Sequence, residues 1–136
     1  MIKINTSRFG VLEAEEEKII NFPDGLVGLS DMTRFILIDY KDTPIKWLQS
    51  LEDPDIAFIV TSPDTIMPEY SLEPDKTVKQ YLQLEDNDDI VVLIIMRVQG
   101  NDVIANFQGP LLLNARNKRG VQIILDFHNK AYQKIG

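Results

Sequence analysis

The chain has 136 residues, 44% hydrophobic and 26% charged, so it reads as one soluble globular domain large enough to bury its own core. With no cysteine and a single histidine, His128, it excludes disulfides, thiolate chemistry and Cys-ligated zinc, and leaves His-based metal sites and Ser/His/Asp triads poorly supplied. The formal charge is −7: residues 39–92 hold 13 acidic and 4 basic residues, while residues 93–136 hold 2 and 6. An acidic chain is ill suited to a phosphate backbone, whose affinity comes from Lys and Arg displacing counterions, and better suited to a basic protein.

In chain order, Ile2–Asn5 and Phe9–Glu13 read as a first hairpin. Lys18–Phe22 is a short strand ended by Pro23-Asp24-Gly25. Residues 26–30 form a glycine-containing loop, and Ser30–Thr33 is expected to make one helical turn. Arg34–Asp39 is a strand. Lys46–Leu51 and Ile56–Thr61 read as an antiparallel hairpin around the polar turn Glu52-Asp53-Pro54-Asp55. Pro63, Pro68 and Pro74 make residues 62–75 irregular, because proline lacks the ladder N–H. Asp75–Leu84 is the one good helix, with Asp75 as its cap and Val78, Tyr81 and Leu82 at helical spacing. Ile90–Val98 is apolar on both faces and is expected to be central and covered on each side. Val103–Gln108, Leu111–Asn114 and Val121–Leu125 complete the set, and the tail from Asp126 is polar. Many short strands with tight turns predict a mostly β fold: a small, antiparallel β-barrel-like single domain with one or two short helices.

The N-terminus has no apolar signal core. The longest apolar run, Ile90–Met96, is far below the roughly 20 residues that span a bilayer. The expectation is a cytoplasmic protein that engages no membrane, and Asn5-Thr6-Ser7 is read as a chance glycosylation sequon.

No catalytic constellation survives inspection. With Asp86 at the first position of a calcium loop, Val91 stands where glycine is needed and Arg97 where a bidentate Glu is needed. Asp53 and Asp55 share one turn, whereas a catalytic carboxylate pair faces a substrate from separate elements. Gly25-Leu26-Val27-Gly28 follows a strand and has no flanking cation, so its glycines serve backbone geometry. Arg116, Lys118 and Arg119 read as a solvated basic hairpin end. The reading is a non-enzyme with no metal and no cofactor. What remains is an acidic middle on a small β domain, a protein-interaction surface by elimination. The alternative is an oligonucleotide-binding β-barrel module, which would need a basic groove with stacking aromatics.

Five ordered segments carry a resemblance. The stretch Trp47-Leu48-Gln49-Ser50-Leu51-Glu52-Asp53-Pro54-Asp55-Ile56-Ala57-Phe58 resembles the best-known stretch of the FliW family of flagellar assembly factors. Phe22-Pro23-Asp24-Gly25-Leu26-Val27-Gly28 resembles its early F-P-x-G-L-P-G loop, with Val27 where the family usually has Pro. Met67-Pro68-Glu69-Tyr70, Ile104–Pro110 with Leu113-Asn114, and Gly120–Leu125 resemble three later motifs. The resemblance implies a small cytoplasmic β-barrel-like protein without enzyme activity. It implies binding to the RNA-binding translational regulator CsrA, away from the regulator's RNA surface, which relieves repression of flagellin synthesis. It also implies binding to flagellin, which sequesters the protein and frees CsrA again. Joined to the charge map, it makes Trp47, Gln49, Glu52, Asp53, Asp55, Glu69, Tyr70 and Glu73 the candidate partner-binding residues of a monomer that makes no direct contact with nucleic acid.

Overall fold

Alternating apolar positions let each short strand turn one row inward, and the observed pairing register lines those rows up. The computed structural model describes residues 1–85 and 89–125. The N-terminal hairpin is β1 (Ile2–Thr6) and β2 (Gly10–Ala14). The main sheet contains β3 (Ile20–Asn21), β4 (Arg34–Asp39), β5 (Lys46–Ser50), β6 (Ala57–Thr61), β7 (Ile90–Gln99), β8 (Asp102–Ala105), β9 (Leu111–Asn114) and β10 (Gly120–Gln122). Its strand order is β10-β9-β7-β6-β5-β4-β3, antiparallel throughout, with β8 paired to β7 alone. A parallel bridge between Asn21 and Arg119 brings the two ends of the sheet together, giving a nearly closed barrel.

Inward rows meet in register. Leu37 pairs with Leu48, Leu48 with Phe58, Val60 with Ile95, and Leu93 with Leu111. With Phe22 edge-on to Phe35 at 5.5 Å they form the core. The opposite face carries a second row across five strands: Ile38, Trp47, Ile59, Met96 and Ala105. Part of that face is covered by the β1–β2 hairpin, whose Ile2 and Ile4 pack with Ile36 around Ala14, Ile19 and Leu51. Another part, over β7 and β9, lies under the crossover from β6 to β7, where α1 (Lys76–Tyr81) sits.

Several expectations change in detail. The strand expected at Lys18–Phe22 is only Ile20–Asn21, because Glu16–Lys18 winds into a 3-10 turn first. Ser30–Thr33 is a turn and not a helical one. Its position is set by Met32 N–H donating to Leu29 O. A second 3-10 turn, Pro63–Thr65, opens the irregular stretch. The helix is shorter than Asp75–Leu84, but Asp75 caps it as expected, accepting from Val78 N–H at 2.9 Å. β7 is central, yet it is not covered along its whole length: Val91 and Val98 are exposed. His128, the tail from Asp126, and Asp86–Asp88 of the acid cluster lie outside the described residues.

Candidate functional site

The turn from Leu51 to Ile56 is built around one buried amide. Gln49 Nε2 donates to Ser50 O at 2.9 Å and Ile56 O at 3.1 Å, with Asp53 O and Pro54 O at its margins. Four carbonyls around one nitrogen fix which end of the amide is which, because only the NH₂ can face acceptors. Gln49 is fully buried, and among the candidate residues it is the one whose side chain holds the acidic turn from within.

The turn's acids are tied down to different degrees. Glu52 Oε1 accepts from Thr33 N–H at 3.0 Å and Arg34 N–H at 2.9 Å, and Oε2 accepts from Arg34 Nε at 2.7 Å. Burial pushes its pKa up, but the hydrogen bonds from Arg34 and Thr33 and the Arg34 charge outweigh that and hold the carboxyl below its ordinary range. Asp53 accepts from Asp55 N–H at 2.9 Å, the local bond that makes Asp a turn residue. Asp55 accepts from the Ser7 hydroxyl, and Pro54 O accepts from Ser7 N–H at 3.1 Å. The tip of the N-terminal hairpin is thereby fastened to the acidic turn. It also covers Trp47: Phe9 stands edge-on at 5.9 Å and the Arg8 guanidinium lies over the indole at 4.3 Å. Trp47 is half-buried, with part of its indole under the hairpin tip and part open.

The second candidate segment lies elsewhere on the barrel. The acidic turn and the Pro63–Thr65 turn sit at opposite ends of β6. A five-residue strand separates them by about 16 Å. From there the chain runs over the outside of β7. Tyr70 is half-buried with its ring 5.3 Å from Phe107, whereas Glu69 is exposed. Glu73 is exposed and lies 3.7 Å from Lys79. The candidates therefore form an extended surface along β5, β6 and β7, not one compact patch.

The basic turn is spent inside the fold. Arg119 Nε donates to Tyr81 O at 2.5 Å, Asn114 Nδ2 to Leu82 O at 3.0 Å, and Arg116 Nη2 to Gln83 O at 2.9 Å. These are the carbonyls of the last residue of α1 and of the two that follow it, where a helix end leaves carbonyls without intrahelical donors. Arg116 and Arg119 thus hold the end of the helix and are not merely a solvated hairpin end, and no local pattern in the sequence links residues 114–119 to residues 81–83. Among the described residues no helix is long and apolar enough to cross a membrane, and no three His, Cys, Asp or Glu side chains gather as metal ligands.

Comparison with known proteins agrees in sequence and in shape. The family model described as FliW protein matches residues 3–134. The chain is 40% identical to the flagellar assembly factor FliW of Alkaliphilus metalliredigens over 136 aligned positions, 95% of this chain and 84% of that protein. It is 38% identical to the FliW of Caldanaerobacter subterraneus over 129 positions, 92% of this chain and 86% of that one. The crystal structure of a flagellar assembly factor FliW superposes with a TM-score of 0.87 at 31% identity, covering 93% of this chain and 91% of the other.

Proposed function

The chain belongs to the FliW family of flagellar assembly factors, and on that footing we propose that it is a non-enzymatic, cytoplasmic, monomeric regulator that works by exchanging protein partners. It binds CsrA and relieves repression of flagellin translation, and it binds flagellin, which competes for it. It uses no cofactor. The observation that carries this reading is the family match over residues 3–134.

The physical chemistry supports such a role. CsrA binds RNA and is basic, and residues 39–92 of this chain carry 13 acids against 4 bases. At physiological salt the reach of surface charge is about 8 Å, so the acids orient the encounter more than they hold the complex. Affinity comes from a few partly desolvated anchors. Trp47, braced by Phe9 and Arg8, and Tyr70, braced by Phe107, are the aromatic anchors of the proposed surface. Asp53, Asp55, Glu69 and Glu73 supply its charge, while Gln49 and Glu52 hold the turn that presents it.

Size-exclusion chromatography of the purified chain with CsrA, followed by added flagellin, tests the reading. Co-elution with CsrA and displacement by flagellin are expected, and failure of both partners to co-elute overturns it. The surface is tested by Asp55→Lys, Glu69→Lys and Glu73→Lys together, with Glu52 left in place. Calorimetry is expected to show CsrA affinity lowered roughly tenfold or more. Unchanged affinity in the folded variant removes this surface.

A further inference from the structure

The β7–β8 hairpin outruns the barrel. β6 follows β7 only as far as the pair Ile59–Met96, whereas β8 continues along it to Gln99–Asp102. Gly100, at φ 64°, supplies the positive φ that a two-residue turn of this kind needs at its first central position. Residues 97–104 are therefore a two-stranded ribbon. Its other edge, along β8, is paired with nothing among the described residues.

Which backbone groups line that edge follows from the register. Asn106 N–H donates to Ile95 O at 2.8 Å, so residue 106 turns its backbone groups toward β7. Alternation along an antiparallel strand turns residues 104 and 102 the same way, and turns Val103 and Ala105 outward. Each of these two presents a free N–H and a free C=O. Beside them Val98 and Val103 form a directly opposed pair, 65% and 64% exposed, on the face that continues through Met96 and Ala105. Exposed edges are ordinarily blunted by lysine, proline or a covering loop. Between Val103 and Ala105 this one has none of these.

We propose that the β8 edge is a docking site for an extended segment of a basic protein partner, which adds to the ribbon as a third strand. This goes beyond the surface assigned above, because it uses backbone groups and a different strand. Three observations select that occupant. The outward N–H and C=O groups of Val103 and Ala105 match a strand and not a helix. Register places the ribbon at the same end of the barrel as the acidic turn, since β6 leaves that turn at Ala57 and Ile59 pairs with Met96. Asp53 and Asp55 of the turn and Asp102 of the ribbon outnumber Arg8 and Arg97 there, with Arg34 committed to Glu52. A second copy of the chain fits less well. Each copy carries −7, and a four-residue edge falls short of the roughly 1,200 Å² that stable assemblies bury.

The test uses the whole chain and a fluorescein-labelled peptide of alternating lysine and valine, acetylated and amidated at its ends, followed by anisotropy. Saturable binding is expected. Val103→Pro removes the outward N–H, spares every ladder bond to β7 and changes no charge. It is expected to weaken binding roughly tenfold, the value of one strand hydrogen bond. Val98→Thr with Val103→Thr keeps the backbone edge and removes the apolar pair, and is expected to weaken binding as well. Circular dichroism establishes folding, and the double threonine variant carries the test if the proline variant unfolds. Three results overturn the proposal: no saturable binding to the natural sequence, binding unchanged in the folded variants, or a dimer of the natural sequence that Val103→Pro dissociates.

Discussion

Glu52 shows how much a single acidic residue can conceal. In sequence it is one of three acids in a polar turn, indistinguishable from Asp53 and Asp55. In the fold it accepts two main-chain N–H groups and the Arg34 guanidinium, and so locks the start of β4 to the end of β5. Arg34 is 18 residues away, and only the register of β4 against β5 brings it there. A short sequence pattern carries no signal for that pairing. The lowered pKa fixes the sign of the pH effect. A carboxyl whose folded pKa lies below its unfolded value of about 4.3 stabilises the fold fully above that value and loses the contribution as pH falls through the folded pKa. Glu52→Gln is expected to cost about 1–2 kcal/mol at pH 7, since it removes a charge-assisted pair but leaves a polar side chain in place. Urea denaturation of both proteins at pH 7 and again near pH 3 checks this. The gap is expected to shrink at the lower pH, and a gap independent of pH contradicts the assignment.

At the scale of elements, strands were legible where one face is buried and turns where a residue type is obligatory. Arg34–Asp39 and Leu111–Asn114 fall at their expected bounds, the first from its partial apolar alternation and the second as a short apolar run directly after Pro110. The 3-10 turns at Glu16–Lys18 and Pro63–Thr65 were not legible, because three residues are too few to show a period. The exposure of Val98 was missed for another reason: an apolar run reads as buried on both faces whether or not neighbouring strands are long enough to cover it. The glycines of the 25–28 loop serve backbone geometry, as expected, and Gly25 and Gly100 differ in what surrounds them. Gly25 has φ 70°, and a Cβ there would lie 2.4 Å from Leu29 O and 2.6 Å from the Ser30 backbone. Gly100 has φ 64° but open space around it. Gly100→Ala is expected to cost about 1–2 kcal/mol, the price of the left-handed backbone alone. Gly25→Ala adds a collision with main chain that no rotamer relieves, so it is expected to cost about 3 kcal/mol or more. Chemical denaturation of the two variants side by side checks the order, and equal costs refute the close approach. Val27, where the family usually has proline, adds a local bond: its N–H donates to Gln122 Oε1 at 2.8 Å, which proline has no proton to make.

At the scale of the molecule, the −7 charge divides between two uses that the composition cannot separate. Arg119 and Arg116 of the C-terminal part bond to carbonyls at the end of α1, and Arg116 also lies 3.8 Å from Glu85 of the acidic middle. Of those acids, Glu52 is committed to Arg34 and Asp39 to Lys46, while Glu73 lies against Lys79 and Glu85 against Arg116 across largely solvated gaps. Asp53, Asp55 and Glu69 have no cation within ion-pair distance among the described residues, so their field extends into solvent. Such a field acts before contact: it raises the rate of encounter with a basic partner and leaves the lifetime of the complex to the buried anchors. The association rate with CsrA, the partner proposed above, is therefore expected to fall about tenfold or more between roughly 50 and 500 mM salt, while the dissociation rate changes by less than about threefold. Stopped-flow fluorescence of Trp47, the chain's one tryptophan, gives both rates from the partner side that this chain controls. The triple variant Asp55→Lys, Glu69→Lys, Glu73→Lys is expected to lose most of the salt slope along with the fast encounter. A slope that persists unchanged in that variant places the steering charge elsewhere on the chain, and leaves these acids as a means of solubility alone.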